Sequence, residues 1–278
     1  MCLIWGTTYL GIRICLETMP PFLMGGLRWS IAGILLALAL VTRGERLPRQ
    51  ASWRGLFALA VLFIVLGNGG VVWAEQWVPS GLTAVILATS PFWMVGVEAV
   101  MPNSERLTAR RGAGLVLGFA GVVMLIWPSL FEGGANGANF AAGLVSLQIA
   151  CAGWALGSSY ARRRSFEENA VAVAAVEMFF GGALMLIAAS LRGEWSALYF
   201  TTRTALSFVY LTTIGAIGGF VAYMYALKHL PVSTVSLYAY VNPVIAVVLG
   251  VLVLSEPFGA RMMMAAALVL AGVAVVRT

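Results

Sequence analysis

Ten long runs of apolar residues follow one another along the chain, each closed by a short polar stretch rich in arginine, glycine or proline. A helix needs about 20 mostly apolar residues to cross a hydrocarbon layer of about 30 Å. On that measure the pattern predicts spans over Cys2–Leu16, Phe22–Thr42, Leu56–Ala74, Leu82–Met101, Ala113–Trp127, Ala141–Ala161, Ala170–Leu191, Ala205–Leu227, Val232–Leu254 and Ala260–Val276. The expected class is an all-α polytopic membrane protein with ten transmembrane helices. The first run starts at once after Met1, without the basic segment a signal peptide requires. At 1.5 Å per residue it reaches only about 24 Å, so its true start is expected upstream.

The second five runs look like a degenerate copy of the first five. PSGLTAVILATSP spans 79–91 and PVSTVSLYAYVNP spans 231–243; each opens and closes on proline, and both offsets are 152 (231 − 79 and 243 − 91). Because a unit of five spans is odd, two membrane-crossing copies must enter with opposite orientations, which gives two inverted five-helix repeats. The expected organisation is a first repeat over 1–132, a linker over 133–139 with the sequence GGANGAN, and a second repeat over 140–278.

Composition agrees: 61% of residues are hydrophobic, 10% are charged, and aspartate is absent. The formal charge of +6 does not mark a nucleic-acid surface, because the basic residues lie in short loops between spans and not on one face. With the N-terminus inside, one side receives Arg43, Arg46, Arg49, Arg54, Arg106, Arg110, Arg111, Arg162, Arg163, Arg164, Lys228 and Arg277, and the other only Arg192, Arg203 and Arg261. The bias predicts that both termini are cytoplasmic. A multi-pass protein of the bacterial inner membrane is expected, with the lipid bilayer as its solvent. Cys2, Cys15 and Cys151 lack metal-like spacing and read as small apolar residues; no cofactor motif is expected.

Several motifs in fixed order add to this picture. Trp5-Gly6 opens the first span, Pro20-Pro21 precedes Arg28 in the second, and the paired segments end in Ser90-Pro91 and Asn242-Pro243. Glu105 and Glu256 follow the fourth and ninth spans, and GLVLGFAGVVMLI and ALVLAGVAVV form the fifth and tenth. Over essentially its whole length the chain resembles the EamA-type branch of the drug/metabolite transporter superfamily. That resemblance implies a ten-helix secondary transporter of small metabolites, often an exporter, with a central cavity lined by spans other than the fifth and tenth. The short first helix departs from the pattern.

Candidate substrate-binding residues follow from the spans themselves. A proline inside a helix frees the carbonyl four residues back, here Leu87 for Pro91 and Ala239 for Pro243. Free carbonyls at that depth are tolerated where they line a wet cavity, or where a neighbouring Ser or Thr satisfies a packing kink. Beside the prolines stand Ser90 and Asn242; Asn242 serves either as interhelical glue or as a ligand contact, and Tyr238, four residues earlier, shares its face. Tyr9, Asn68 and Trp154 are further cavity candidates, and WALGSSY at 154–160 roughly mirrors WGTTY at 5–9, so these aromatics are expected as opposed walls of a pocket. Trp5, Trp73, Trp77, Trp127 and Tyr199, near span ends, read as interfacial anchors.

Arg28 and Glu177 are the coupling or gating candidates. Aligned on Gly33 and Gly182 they share an offset of 149 (177 − 28 and 182 − 33), so opposite charges occupy one repeat position. Their depths differ by roughly 10 Å, which argues against an ion pair and for service in opposite halves of a path. Each must face protein or water, with snorkelling the alternative for Arg28 and proton coupling the candidate role of Glu177. Glu17, Glu75 and Glu98 read as rim charges, and His229 as a solvated loop residue. Pairs of glycines four apart, Gly114 and Gly118, Gly153 and Gly157, Gly215 and Gly219, predict close helix packing within the chain or across a homodimer.

Enzymatic classes fit poorly. A phosphate loop needs Gly-Lys-Ser/Thr, yet the one lysine, Lys228, has no glycine before it, and one histidine cannot make H-E-x-x-H. The sequence therefore predicts a carrier with a small-molecule substrate, an exporter of amino acids or related amphiphilic solutes by alternating access. A non-transporting membrane scaffold is the alternative.

Overall fold

The computed structural model describes residues 2–101, 108–131, 135–164, 168–230, 235, 238–256 and 259–277. Glu105, Arg106 and Pro231, and the first two residues of the expected linker, lie outside them. All regular structure among the described residues is helical. The helices are α1 (Cys2–Cys15), α2 (Pro21–Thr42), α3 (Gln50–Ala74), α4 (Ser80–Leu87), α5 (Ser90–Val100), α6 (Ala109–Phe131), α7 (Ala135–Arg164), α8 (Ala170–Leu191), α9 (Thr202–His229), α10 (Tyr238–Leu254) and α11 (Ala260–Arg277). Six spans, α2, α3, α4 with α5, α7, α8 and α9, are long and apolar enough to cross a membrane; apolar stretches of α6, α10 and α11 are shorter, and α1 has 14 residues. Ala135–Asn139, the described part of the expected linker, are helical and continuous with α7.

Two spans contain stretches of wider, π-type turn, Ala60–Gly69 in α3 and Leu211–Gly218 in α9. They begin 151 residues apart (211 − 60), close to the repeat offset seen in the sequence. Shifting the hydrogen bonding from i→i−4 to i→i−5 leaves carbonyls that side chains can reach, and such segments are frequent at functional sites. Here Asn68 Nδ2 donates to Phe63 O at 2.9 Å, and the Arg28 Nε donates across helices to Leu211 O at 3.1 Å.

The broken span at Pro91 has a different local cause. The chain leaves helical bonding at Ala88 and Thr89 and restarts with Pro91 in the first turn of α5, where a missing N–H costs little. The Leu87 carbonyl expected to be free accepts the Ser90 hydroxyl at 2.6 Å, and Ile86 O accepts Thr89 at 2.7 Å. Pro243, by contrast, lies inside α10.

Small residues set the packing. An ideal Cβ at Gly33 in α2 would lie 2.6 Å from Phe179 N and 2.8 Å from Ala175 O of α8, so the two backbones are in contact there. Gly182 of α8 meets Ser30 of α2 in the same way. Adding 149 to 33 and 30 gives 182 and 179, so the pair 33/179 becomes the pair 182/30. The main helix neighbours repeat this exchange: α2 with α8, α6 with α11 and α4 with α10 each map onto themselves, while α1 with α10 maps onto α5 with α7, and α3 with α7 onto α1 with α9. The paired glycines pack inside the chain, Gly118 against Phe92 and Gly272, Gly157 against Phe63, Gly219 against Trp5.

The outer surface is apolar where lipid would lie. Leu38 and Val41 of α2, Ile187 and Leu191 of α8, and Val248 and Leu252 of α10 are exposed. A water-soluble chain rarely shows apolar surface on so many helices. Ion pairs lie at the ends: Arg163 with Glu98 at 2.9 Å and Arg203 with Glu17 at 3.2 Å. Glu256 fixes the start of α4, accepting from Ser80 N at 2.8 Å, Ser80 Oγ at 3.0 Å and Gly81 N at 3.0 Å; a carboxylate there meets the positive end of the helix dipole.

Candidate functional site

A cavity of about 80 Å³ lies where α1, α2, α3, the α4–α5 break, α7 and α10 converge. Its lining includes six of the residues singled out as substrate-binding, Tyr9, Asn68, Ser90, Trp154, Tyr238 and Asn242, together with Arg28. The six come from five spans and Arg28 from a sixth, and together they represent both halves of the chain. Pro91 and Pro243 are buried but do not line the cavity; each shapes the helix that presents its neighbour, Ser90 or Asn242.

One wall is aromatic. Trp5 and Trp154 meet edge to face with centroids 5.4 Å apart, Trp5 packs at 5.0 Å from Tyr238, and Tyr223 lies 5.2 Å from Trp5 and 5.0 Å from Trp154. The mirrored motifs pack directly against each other, Trp154 on Trp5, where opposed walls were expected. Trp5 itself is corrected from interfacial anchor to cavity wall: Gly219 lets its indole lie flat against α9, and Gly6 admits Ile245 of α10 beside it. Position near a span end suggested an anchor, and only the packing of α1 across α9 and α10 reveals the inward face. Tyr223 is held by a 2.6 Å hydrogen bond with Ser158.

Polar side chains also line the cavity. Asn242, 2% exposed, is hydrogen-bonded to Tyr9. Ser90 Oγ, bonded to Leu87 O, also lies 3.4 Å from Cys151 Sγ, which joins Thr8 and Ala150 in the lining. Thr8, Ile12 and Cys151 were not singled out in the sequence; one turn of spacing from Tyr9 is the signal that points to Thr8's neighbours Trp5 and Ile12. Gln148 and Trp93, further polar and aromatic residues inside spans, instead bond each other at 2.9 Å beside Thr89.

Charged residues behave unlike surface side chains. Arg28 is 2% exposed and lines the cavity, so it does not snorkel. It makes no ion pair with Glu177 among the described residues; Glu177, on α8 and fully buried, has no hydrogen-bond partner at either carboxylate oxygen there and does not line the cavity. Glu75 is corrected from rim charge to buried group: it is 0% exposed, because the turn after Ala74 folds back under α1, where Arg13 donates to its backbone carbonyl. Larger recesses open at the two ends, about 480 Å³ by Val173, Met224 and Lys228 and about 690 Å³ by Arg13, Gln76 and Glu256.

Comparison with known proteins decides the family. The model of the EamA-like transporter family matches residues 1–127 and 141–278. The chain belongs to the EamA-like transporter family. Among relatives of this EamA-like protein, the uncharacterized inner membrane transporter YedA of Escherichia coli K12 is 35% identical over 89% of this chain and 78% of its own length. The uncharacterized transporter YvbV of Bacillus subtilis is 24% identical over 100% of this chain and 89% of its own. A solved crystal structure with 22% identity superposes with a TM-score of 0.69, covering 99% of this chain and 94% of that one, which shows a common fold.

Proposed function

We propose that this EamA-like transporter is a secondary carrier of the inner membrane that exports amino acids or related small amphiphilic solutes. The observation that supports this best is the cavity itself, in which side chains from both halves, Tyr9 and Asn68 with Trp154, Tyr238 and Asn242, face one small space. Aromatic rings together with hydroxyl and amide groups in one cavity suit a solute with one apolar and one polar end. A single lining cation does not suit phosphorylated sugars, which call for several. The name of the relative YedA supports the inner-membrane reading, and the loop charge bias supports cytoplasmic termini.

Ten crossings as two inverted repeats, 1–132 and 140–278, are part of the same proposal. The exchange symmetry of the glycine contacts and of the two π-type stretches supports it. Alternating access then means rocking of the two halves around the cavity, with Arg28 and Glu177 gating opposite halves and protons or the solute's own gradient as drivers.

Counterflow in proteoliposomes tests the function without knowledge of the driving force. Vesicles loaded with an unlabelled amino-acid panel are expected to accumulate at least one labelled member, at a rate well above that of protein-free vesicles. No accumulation by folded, inserted protein would remove the amino-acid reading and favour other metabolites or a scaffold.

A further inference from the structure

Two buried, oppositely charged groups, Arg28 and Glu75, feel each other's charge yet leave hydrogen bonds unmade. Arg28 is anchored by its Nε to Leu211 O at 3.1 Å, a carbonyl at the start of the π-type stretch of α9, while its Nη1 is buried and has no partner among the described residues. Glu75 is 0% exposed, and neither of its carboxylate oxygens has a partner among the described residues. The charged groups that act on it are Arg13 from α1, Arg28 from α2 and Glu256 from the turn before α11; the titratable Tyr9 and Cys15 of α1 also feel its charge. Glu256 is already committed to the start of α4. Arg28 and Tyr9 line the central cavity, whereas Arg13 and Glu256 line the 690 Å³ recess. Glu75 itself lines neither space, but its charge is felt by groups of both.

An ionised carboxylate without a partner in such a place is strongly unfavourable, and so is an unpartnered guanidinium. Two arrangements remove the cost. Either the ionised Glu75 turns to Arg28 or Arg13 as counter-charge, or Glu75 holds a proton and Arg28 takes its anion from the cavity. The structure, in which Glu75 makes no ion pair with either arginine among the described residues and Nη1 has no partner there, matches the second.

We propose that Arg28 is the anchor for a carboxylate on the transported solute, and that Glu75 competes with that carboxylate for Arg28 unless it is protonated. This rests on the carrier reading above and adds the chemistry of its substrate. In the binding step the solute carboxylate replaces the Glu75 carboxylate at Arg28, and Glu75 takes one proton from the water of the recess. No bond within the solute is made or broken, and the net charge of the cluster is unchanged. A carboxylate and a proton therefore occupy the carrier together, and the direction of net flux follows the sum of their two gradients.

The test uses the full chain in detergent or nanodiscs, with the proteinogenic amino acids and their C-terminal amides as probes, titrated calorimetrically between about pH 5.5 and 8.5. The acids that bind are expected to lose affinity as pH rises through the Glu75 titration, approaching tenfold per pH unit for one linked proton. The amides are expected to bind weakly and without that dependence. In Glu75→Gln, which mimics the protonated acid, the acids should bind tightly at every pH, and in Arg28→Gln the preference for acid over amide should vanish. Acid binding in the wild type that is independent of pH, amides that bind as well as acids, or a pH dependence that survives in Glu75→Gln and disappears in Glu177→Gln would each overturn the proposal while leaving the carrier reading intact. Counterflow of solutes without a carboxylate, with no acid or amide bound, would overturn it too; no binding and no counterflow of any probe would remove the carrier reading with it.

Discussion

Asn242→Ala is expected to lower counterflow by about tenfold to hundredfold while leaving expression and the unfolding temperature near wild type. The amide is 2% exposed, lines the cavity and bonds the Tyr9 hydroxyl, so its removal orphans one buried polar group and withdraws one solute contact. Either loss is worth about 1–3 kcal/mol, and about 1.4 kcal/mol is a factor of ten. The fold should tolerate the change because α10 is also held by α1 and α4, through contacts such as Gly6 against Ile245 and Gly81 against Val247. Paired measurement of counterflow and thermal unfolding separates the two effects. Full activity would remove Asn242 from the solute path, and parallel loss of folding would make it helix glue, the other role open to it from the sequence.

Gly33→Leu carries the largest expected effect on stability. Any side chain at this position meets backbone atoms of α8, Phe179 N and Ala175 O, and backbone atoms inside a helix cannot step aside as a side-chain tip can. Overpacking against main chain costs about 3 kcal/mol or more, a large share of the margin that holds a fold. The variant is expected to elute as aggregate in size-exclusion chromatography, or to unfold many degrees below the wild type. Gly96→Ala is the matched control, since a Cβ there meets nothing within 4 Å. An unperturbed Gly33→Leu protein would mean that α2 and α8 are further apart than the structure has them.

The sequence made the helical class, most span positions and the heart of the cavity legible, for reasons visible at particular residues. Apolar runs are set by the bilayer, so they can be read one dimension at a time. Polar residues inside such runs are costly, so Asn68, Ser90, Tyr9 and Asn242 stood out and do meet in one cavity. What could not be read was anything decided by rotation or by a break in helical bonding. Trp5 looked like an anchor because its neighbours in sequence are near a span end, while its inward face depends on α9 and α10 passing beside it. Glu75 looked like a rim charge because it follows a span, while the turn after Ala74 tucks it beneath α1. Of the two readings open for Pro91, the second describes the structure: the helix breaks, and the neighbouring Ser90 satisfies the freed carbonyl. The π-type stretches in α3 and α9 have no composition signal of their own, although they position Asn68 and receive Arg28.

The central claim, a cavity served alternately from two sides, is tested most directly by reciprocal thiol labelling. In a background with Cys2, Cys15 and Cys151 replaced by alanine or serine, single cysteines are placed at Leu16, in the recess with Arg13 and Glu256, and at Met224, in the recess with Lys228. Labelling rates with a hydrophilic maleimide are then followed as a counterflow solute is added. The two rates are expected to change in opposite directions; rates that stay fixed, or that rise or fall together, would rule out alternating access.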